Sequence, residues 1–278
     1  MPVRKLPNLS PARVVELQDA LLANADRLLT AALAVLDLGT VGLARSLAIL
    51  AMEESGKAIA LHERRVEMAY APEGEPFVNA RLENLWASHQ EKLKLVHTFL
   101  AEERYWFGTE PADPERNLAY LGTIKRWALR HDRLKQRGFY VDIDGAGGVL
   151  EPTGVSDRES LIDVINHVHQ IGWQLRLGEH IEAKQQAEEA RGVPPRTEAE
   201  IEKMRDIFSR LPGRAADEEL YDSMRQGREG RKLNNDDYRL HLPEPGSNPF
   251  ENLGKPGYEA ETRELRRLAE ELDRLESQ

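Results

Sequence analysis

The spacing of apolar positions predicts helices along most of the chain. Val14, Leu17, Leu21, Leu22, Ala25, Leu28, Leu29, Ala32 and Leu33 form one broad stripe at helical period, opened by Ser10-Pro11 and closed by Gly39. A second helix is expected from Val41 to Tyr70. Between Leu43 and Leu61 its apolar residues cover nearly the whole circumference, the pattern of a helix surrounded by others. Glu53, Glu54, Gly56 and Lys57 interrupt that run. Buried charges and a mid-helix glycine each cost stability, so mutual pairing or a site must offset them. A break at Ala71 to Pro76 precedes a third helix over 79–103, with Leu82, Leu85, Trp86, His89, Leu93, Val96 and Leu100 on one face.

The fourth helix is expected from Glu115 to Gln136, stopped by Gly138. Phe139 to Asp144 alternates and is β-branched, so it reads as extended. A fifth helix begins at a capping box, Ser156 with Glu159, and runs towards Arg191. Beyond Gly192-Val193-Pro194-Pro195 the composition shifts. Thr197 and Glu200 open a short helix, another is expected over 216–228, and 227–258 reads as irregular or mobile. A polar helix over 259–277 ends the sequence, with Leu265, Leu268, Leu272 and Leu275 in a narrow seam suited to docking. The fold expected is all-α, an up-and-down bundle of four to five long helices over 1–192, with a loosely structured helical extension over 193–278.

Composition narrows the function classes. The 278 residues are 31% charged with a formal net charge of −10, so no overall basic field announces a nucleic-acid binder. The absence of cysteine removes disulfides and thiolate metal sites. No signal sequence and no apolar run of membrane-spanning length is recognised, which makes the cytoplasm the expected compartment. His167 and His169 fall on different helix faces, and no histidine–carboxylate set of metal-ligand spacing is recognised, so neither metal nor cofactor is expected.

Three constellations carry candidate chemistry. Glu53 and Lys57 stand in the favourable order for an i,i+4 ion pair, and Glu54 is expected to face another helix. The plain reading is a structural salt bridge, with Gly56 admitting a neighbouring helix; the sharper one is a polar cluster at a cleft. His89 lies on the apolar side of the third helix with Lys92 nearly above it, within reach of the second helix's carboxylates. Arg126 and His131, followed by Lys135, Arg137, Tyr140 and Asp142, form the most basic stretch of the first two hundred residues. An arginine to hold a scissile phosphate and a histidine to exchange a proton with a 2′-hydroxyl would suffice for RNA cleavage. The bland account of the same stretch is a basic helix end complementing the helix dipole.

Three separated patches resemble one family. Ser46 to Ala58 (SLAILAMEESGKA), His89-Gln90-Glu91-Lys92-Leu93 and Leu134 to Asp142 (LKQRGFYVD) are similar to motifs of the AbiV-type abortive infection proteins. These are bacterial phage-defence proteins of the HEPN superfamily. The resemblance implies a HEPN-like bundle, commonly a homodimer, that halts phage propagation by RNA cleavage or translation arrest. It also implies an Arg-x4–6-His motif, which Arg126 and His131 match in spacing. On this reading Arg126 and His131 are catalytic, Glu53, Glu54, Lys57, His89 and Lys92 organise the cleft, and Tyr140 and Asp142 lie at its rim. RNA is the expected partner. The alternative is a non-catalytic HEPN sensor or adaptor that binds a phage or host protein through the leucine seam and the polar extension.

Overall fold

The computed structural model describes residues 5–105, 112–209 and 218–241, with isolated positions at 262, 266 and 274. The fold is all-α. Helix α1 (Pro11–Asp37) and helix α2 (Val41–Tyr70) form an antiparallel pair, followed by α3 (Ala80–Ala87), α4 (His89–Glu102), α5 (Pro114–Leu121) and α6 (Ile124–Phe139). A minimal hairpin follows, β1 (Asp142–Ile143) and β2 (Val149–Leu150), before the long α7 (Glu159–Arg191) and the short α8 (Glu198–Ser209) and α9 (Glu218–Gln226). Helix α2 is the axis and packs against α1, α4, α6 and α7. Ala44, Ala48, Ile49, Ala51, Met52, Ala58 and Ile59 are all buried on it, as a helix apolar around its circumference requires. Among the described residues no helix is long and apolar enough to cross a membrane.

Several boundaries differ from those expected, each for a local reason. The helix over 79–103 is two helices. Ser88 is extended and its Oγ accepts the N–H of Glu91, so the serine caps α4 instead of continuing α3. The helix over 115–136 also divides, at Gly122, whose φ of 77° leaves the right-handed region. Asp113 caps the first piece by accepting from Arg116. Gly138 does not stop α6, which continues to Phe139. The helix expected from Ser156 starts at Glu159, with Asp157 rather than Ser156 accepting the N–H of Ser160. The capping box of Thr197 and Glu200 forms as expected.

Residues 227–241 are irregular yet fastened to the bundle. Val193 and Arg228 form an antiparallel bridge. Asn235 Nδ2 donates to the carbonyls of Met68 and Ala71, and the backbone N–H groups of Asn234 and Asn235 donate to Ala69, which satisfies the open carbonyls at the end of α2. Tyr238 stacks on Phe77, and Arg231 lies 3.7 Å over the Tyr70 ring. This part of the segment is irregular, as expected, and caps α2; residues 242–258 lie outside the described residues. The leucine seam expected over 259–277 lies outside the described residues.

Candidate active site

Two close helix contacts assemble the polar cluster. A Cβ on Gly138 would stand 2.0 Å from the carbonyl oxygen of Gly42 and 2.1 Å from Ser46 Oγ, so glycine alone lets α6 reach α2 there. Ser46 Oγ donates to the carbonyl of Lys135 at 2.7 Å and pins the approach. On the other side, a Cβ on Gly56 would stand 2.8 Å from the Lys92 carbonyl, which brings α4 against α2. Lys135 and Lys92 are thus delivered to Glu53 from two directions.

Glu53 is 3% exposed and both its oxygens are engaged across helices. Oε1 accepts from Lys135 Nζ at 2.6 Å, and Oε2 accepts from His89 Nδ1 at 2.5 Å. Lys135 is also 3.2 Å from Asp132. Both carboxylate oxygens of this buried group are thus satisfied, one by an ammonium and one by a ring nitrogen. With Nδ1 directed at Glu53, the neutral imidazole would present Nε2 as its lone-pair atom. The side chain of His89 is 59% exposed, and its Nε2 makes no hydrogen bond among the described residues. Lys92 is buried and makes no ion pair among the described residues. Burial pushes its ammonium below the ordinary lysine range; Glu53 and Glu54 oppose that, while Lys57 and Lys135 reinforce it.

The remaining candidates fall differently from their sequence expectation. Lys57 pairs with Glu54 at 2.7 Å, not with Glu53, and its ammonium sits 5.7 Å from the Trp86 ring. Glu53, rather than Glu54, is the residue that faces the other helices. Arg126 is exposed on the outer face of α6, whereas His131 is buried. Five helical positions set the two about 140° apart around the axis, so the structure does not bring them together. His131 Nδ1 donates to the Trp127 carbonyl at 2.9 Å, and its ring lies 4.0 Å from that of Trp127. Tyr140 and Asp142 are exposed at the hairpin, where Asp142 Oδ1 accepts the N–H of Ile143. Lys135 and Asp132 are the members that the sequence reading left out of the cluster. Lys135 precedes Gly138 by three residues and therefore shares its face, a signal available to anyone who reads that glycine as a contact.

A second buried network was not anticipated. Tyr105 hydroxyl donates to Glu182 Oε1 at 2.9 Å and accepts from His62 Nε2 at the same distance, and Arg104 closes the chain on Glu182 at 2.8 Å. Burial raises the Tyr105 phenol well above its ordinary value, reinforced by the charge of Glu182, and pushes the His62 imidazole down to about 3. His131 is likewise pushed down to about 4 by burial, with neighbouring His167, Arg130 and Arg45 adding to the effect against the Trp127 carbonyl. Both rings stay neutral in the folded chain where an unfolded histidine gains a proton. The stability they hold is therefore complete above about pH 6.5 and is lost as the pH falls towards 4 for His131 and towards 3 for His62. His131→Gln is expected to flatten the pH dependence of the unfolding free energy measured in urea between about pH 6.5 and 4, by up to ~1.4 kcal/mol per pH unit. An unchanged slope would show that His131 titrates normally.

The chain matches the family model HEPN_AbiV, described as AbiV, over residues 13–173. No curated protein and no solved structure matches it. The matched segment runs from α1 into α7 and contains Glu53, His89, Lys92, Asp132 and Lys135. An all-α bundle organised on α2 and a family match over more than half of the sequence agree: the chain belongs to the AbiV family of HEPN proteins.

Proposed function

We propose that this abortive infection protein acts as an endoribonuclease that needs no metal, with the Glu53–His89 pair as its proton-transfer device. The observation that carries the reading is the 2.5 Å hydrogen bond from His89 Nδ1 to a buried carboxylate, beside two buried lysines. His89 Nε2 takes the proton of a ribose 2′-hydroxyl, and the freed oxygen attacks the adjacent phosphorus. The bond from phosphorus to the 5′-oxygen breaks. Lys92, whose ammonium burial makes more acidic than usual, returns a proton to the leaving oxygen. Lys135 holds Glu53 in place and adds positive charge near the phosphoryl oxygens. The products are a 2′,3′-cyclic phosphate and a 5′-hydroxyl.

The test is to incubate the purified chain with total RNA in the presence of a chelator and to identify the new termini. Cleavage leaving 2′,3′-cyclic phosphates is expected. Intact RNA, under conditions where expression of the protein arrests growth, would replace this reading with the adaptor reading, in which the bundle binds a phage or host protein.

A further inference from the structure

Helix α6 carries a second chemical feature on the face turned away from Glu53. Arg126, Arg130, Arg133 and Arg137 are all exposed there. At 3.6 residues per turn they fall within about 60° of arc, a straight row about 16 Å long. Lys135 lies on the opposite side, pointing inward. The row is unusual within this molecule. The formal net charge is −10, and many arginines elsewhere are matched with carboxylates, among them Arg64 with Glu75, Arg81 with Glu63, Arg104 with Glu182, Arg176 with Asp19 and Arg225 with Glu198; those unmatched among the described residues, such as Arg27, Arg116 and Arg191, do not gather on one helix face. None of the four in the row has an ion pair among the described residues.

Instead, the row lies beside a further cation. Arg45 is 2% exposed, donates to Ser160 Oγ at 3.2 Å and stands 3.6 Å from Asp157. Its Nε has no hydrogen-bond partner among the described residues. Burial holds its guanidinium below the ordinary arginine range, Asp157 opposes this, and the charges of Arg137 and Arg130 push in the same direction as burial. Two guanidiniums, Arg45 and Arg130, thus share the charge of Asp157, and Arg137 adds to the positive field at Arg45. The helix dipole accounts for Arg137 in the last turn, but not for Arg126 and Arg130 further up the helix, and such a concentration of like charge raises the energy of the folded state. An anionic partner laid along the row would lower it.

We propose that the arginine row of α6 is a binding track for the phosphate backbone of a single RNA strand, separate from the reaction site on the helix's inner face. Regular spacing and the lack of ion pairs among the described residues suit a repeating anion rather than one phosphate group. The inference does not depend on cleavage, because a strand can be held along α6 whether or not His89 reacts with it.

The test uses the full chain and a labelled 2′-O-methyl oligouridylate, which has no 2′-proton to lose and so reports binding alone. Affinity is measured by fluorescence anisotropy between about 50 and 200 mM salt. Replacing all four row arginines with glutamine is expected to reduce the magnitude of the slope of log affinity against log salt by about 3, from about 0.7 per lost phosphate contact. A control chain with Arg13, Arg81, Arg205 and Arg225 changed to glutamine has the same net charge and is expected to keep the parental slope. Equal losses in both variants would reduce the effect to net charge and overturn the track. Absence of binding by the parent at the lowest salt would overturn it as well. Equally tight binding of polyglutamate, lost with the same four arginines, would reassign the row to an acidic protein. RNA cleavage that survives loss of the row leaves the reaction site standing, while a row that binds RNA without cleavage leaves the track standing.

Discussion

His89→Ala is expected to slow RNA cleavage by ~10²–10⁴-fold, the usual loss when a positioned acid–base group is removed. The same change should cost little stability, because the side chain is 59% exposed and Glu53 keeps its bond to Lys135. Glu53→Ala should behave in the opposite proportion. It leaves Lys135, 7% exposed, with only Asp132 as an ion-pair partner among the described residues, and orphaning one member of a buried pair costs ~3–5 kcal/mol. The two variants together separate chemistry from framework. Rates are read on total RNA and stabilities from urea unfolding of the same preparations. Full cleavage by the folded His89→Ala protein would remove His89 from the mechanism.

Gly138→Ala is expected to destabilise the protein by about 2–4 kcal/mol, against a helix-propensity gain of ~1 kcal/mol. The sign is set by the contact. The new methyl would lie 2.0 Å from a backbone carbonyl oxygen that cannot swing aside, so α6 must move away from α2 by more than an ångström. That movement also stretches the bond from Ser46 to the Lys135 carbonyl and draws Lys135 back from Glu53. Loss of stability should therefore come with loss of activity, although the residue touches no reacting atom. Greater stability in denaturant would mean that propensity outweighs the contact.

The two glycines show how far the sequence could be read. Gly56, set in a helix too apolar to be exposed, has no reading other than a close helix contact, and Lys92 of α4 is what it meets. Gly138 sits near the end of an amphipathic run, where a stop and a contact demand the same residue. Only the element opposite distinguishes them, and that is tertiary information. The choice between Glu53 and Glu54 failed in a similar way. The i,i+4 rule pairs Glu53 with Lys57, but α2 is surrounded, and ligands from α4 and α6 outweigh a partner on its own helix. Arg126 and His131 matched a spacing without sharing a face. Ser88 was hidden because the apolar period continues across it, even though the backbone does not. Legible from the start were the bundle, the central helix and the gathering of His89 near carboxylates of α2.

Asn235 bears on the order in which the molecule is completed. Its side chain closes the carbonyl of Met68 from 167 residues further along the chain. Synthesis proceeds from the N-terminus at ~5–20 residues per second, so the end of α2 waits roughly ten to thirty seconds for its cap. For a protein read as acting on RNA, this delay coincides with the period when it is still attached to a ribosome and closest to that ribosome's own RNA. Finishing the bundle with a late segment delays the complete fold until Asn235 has been made.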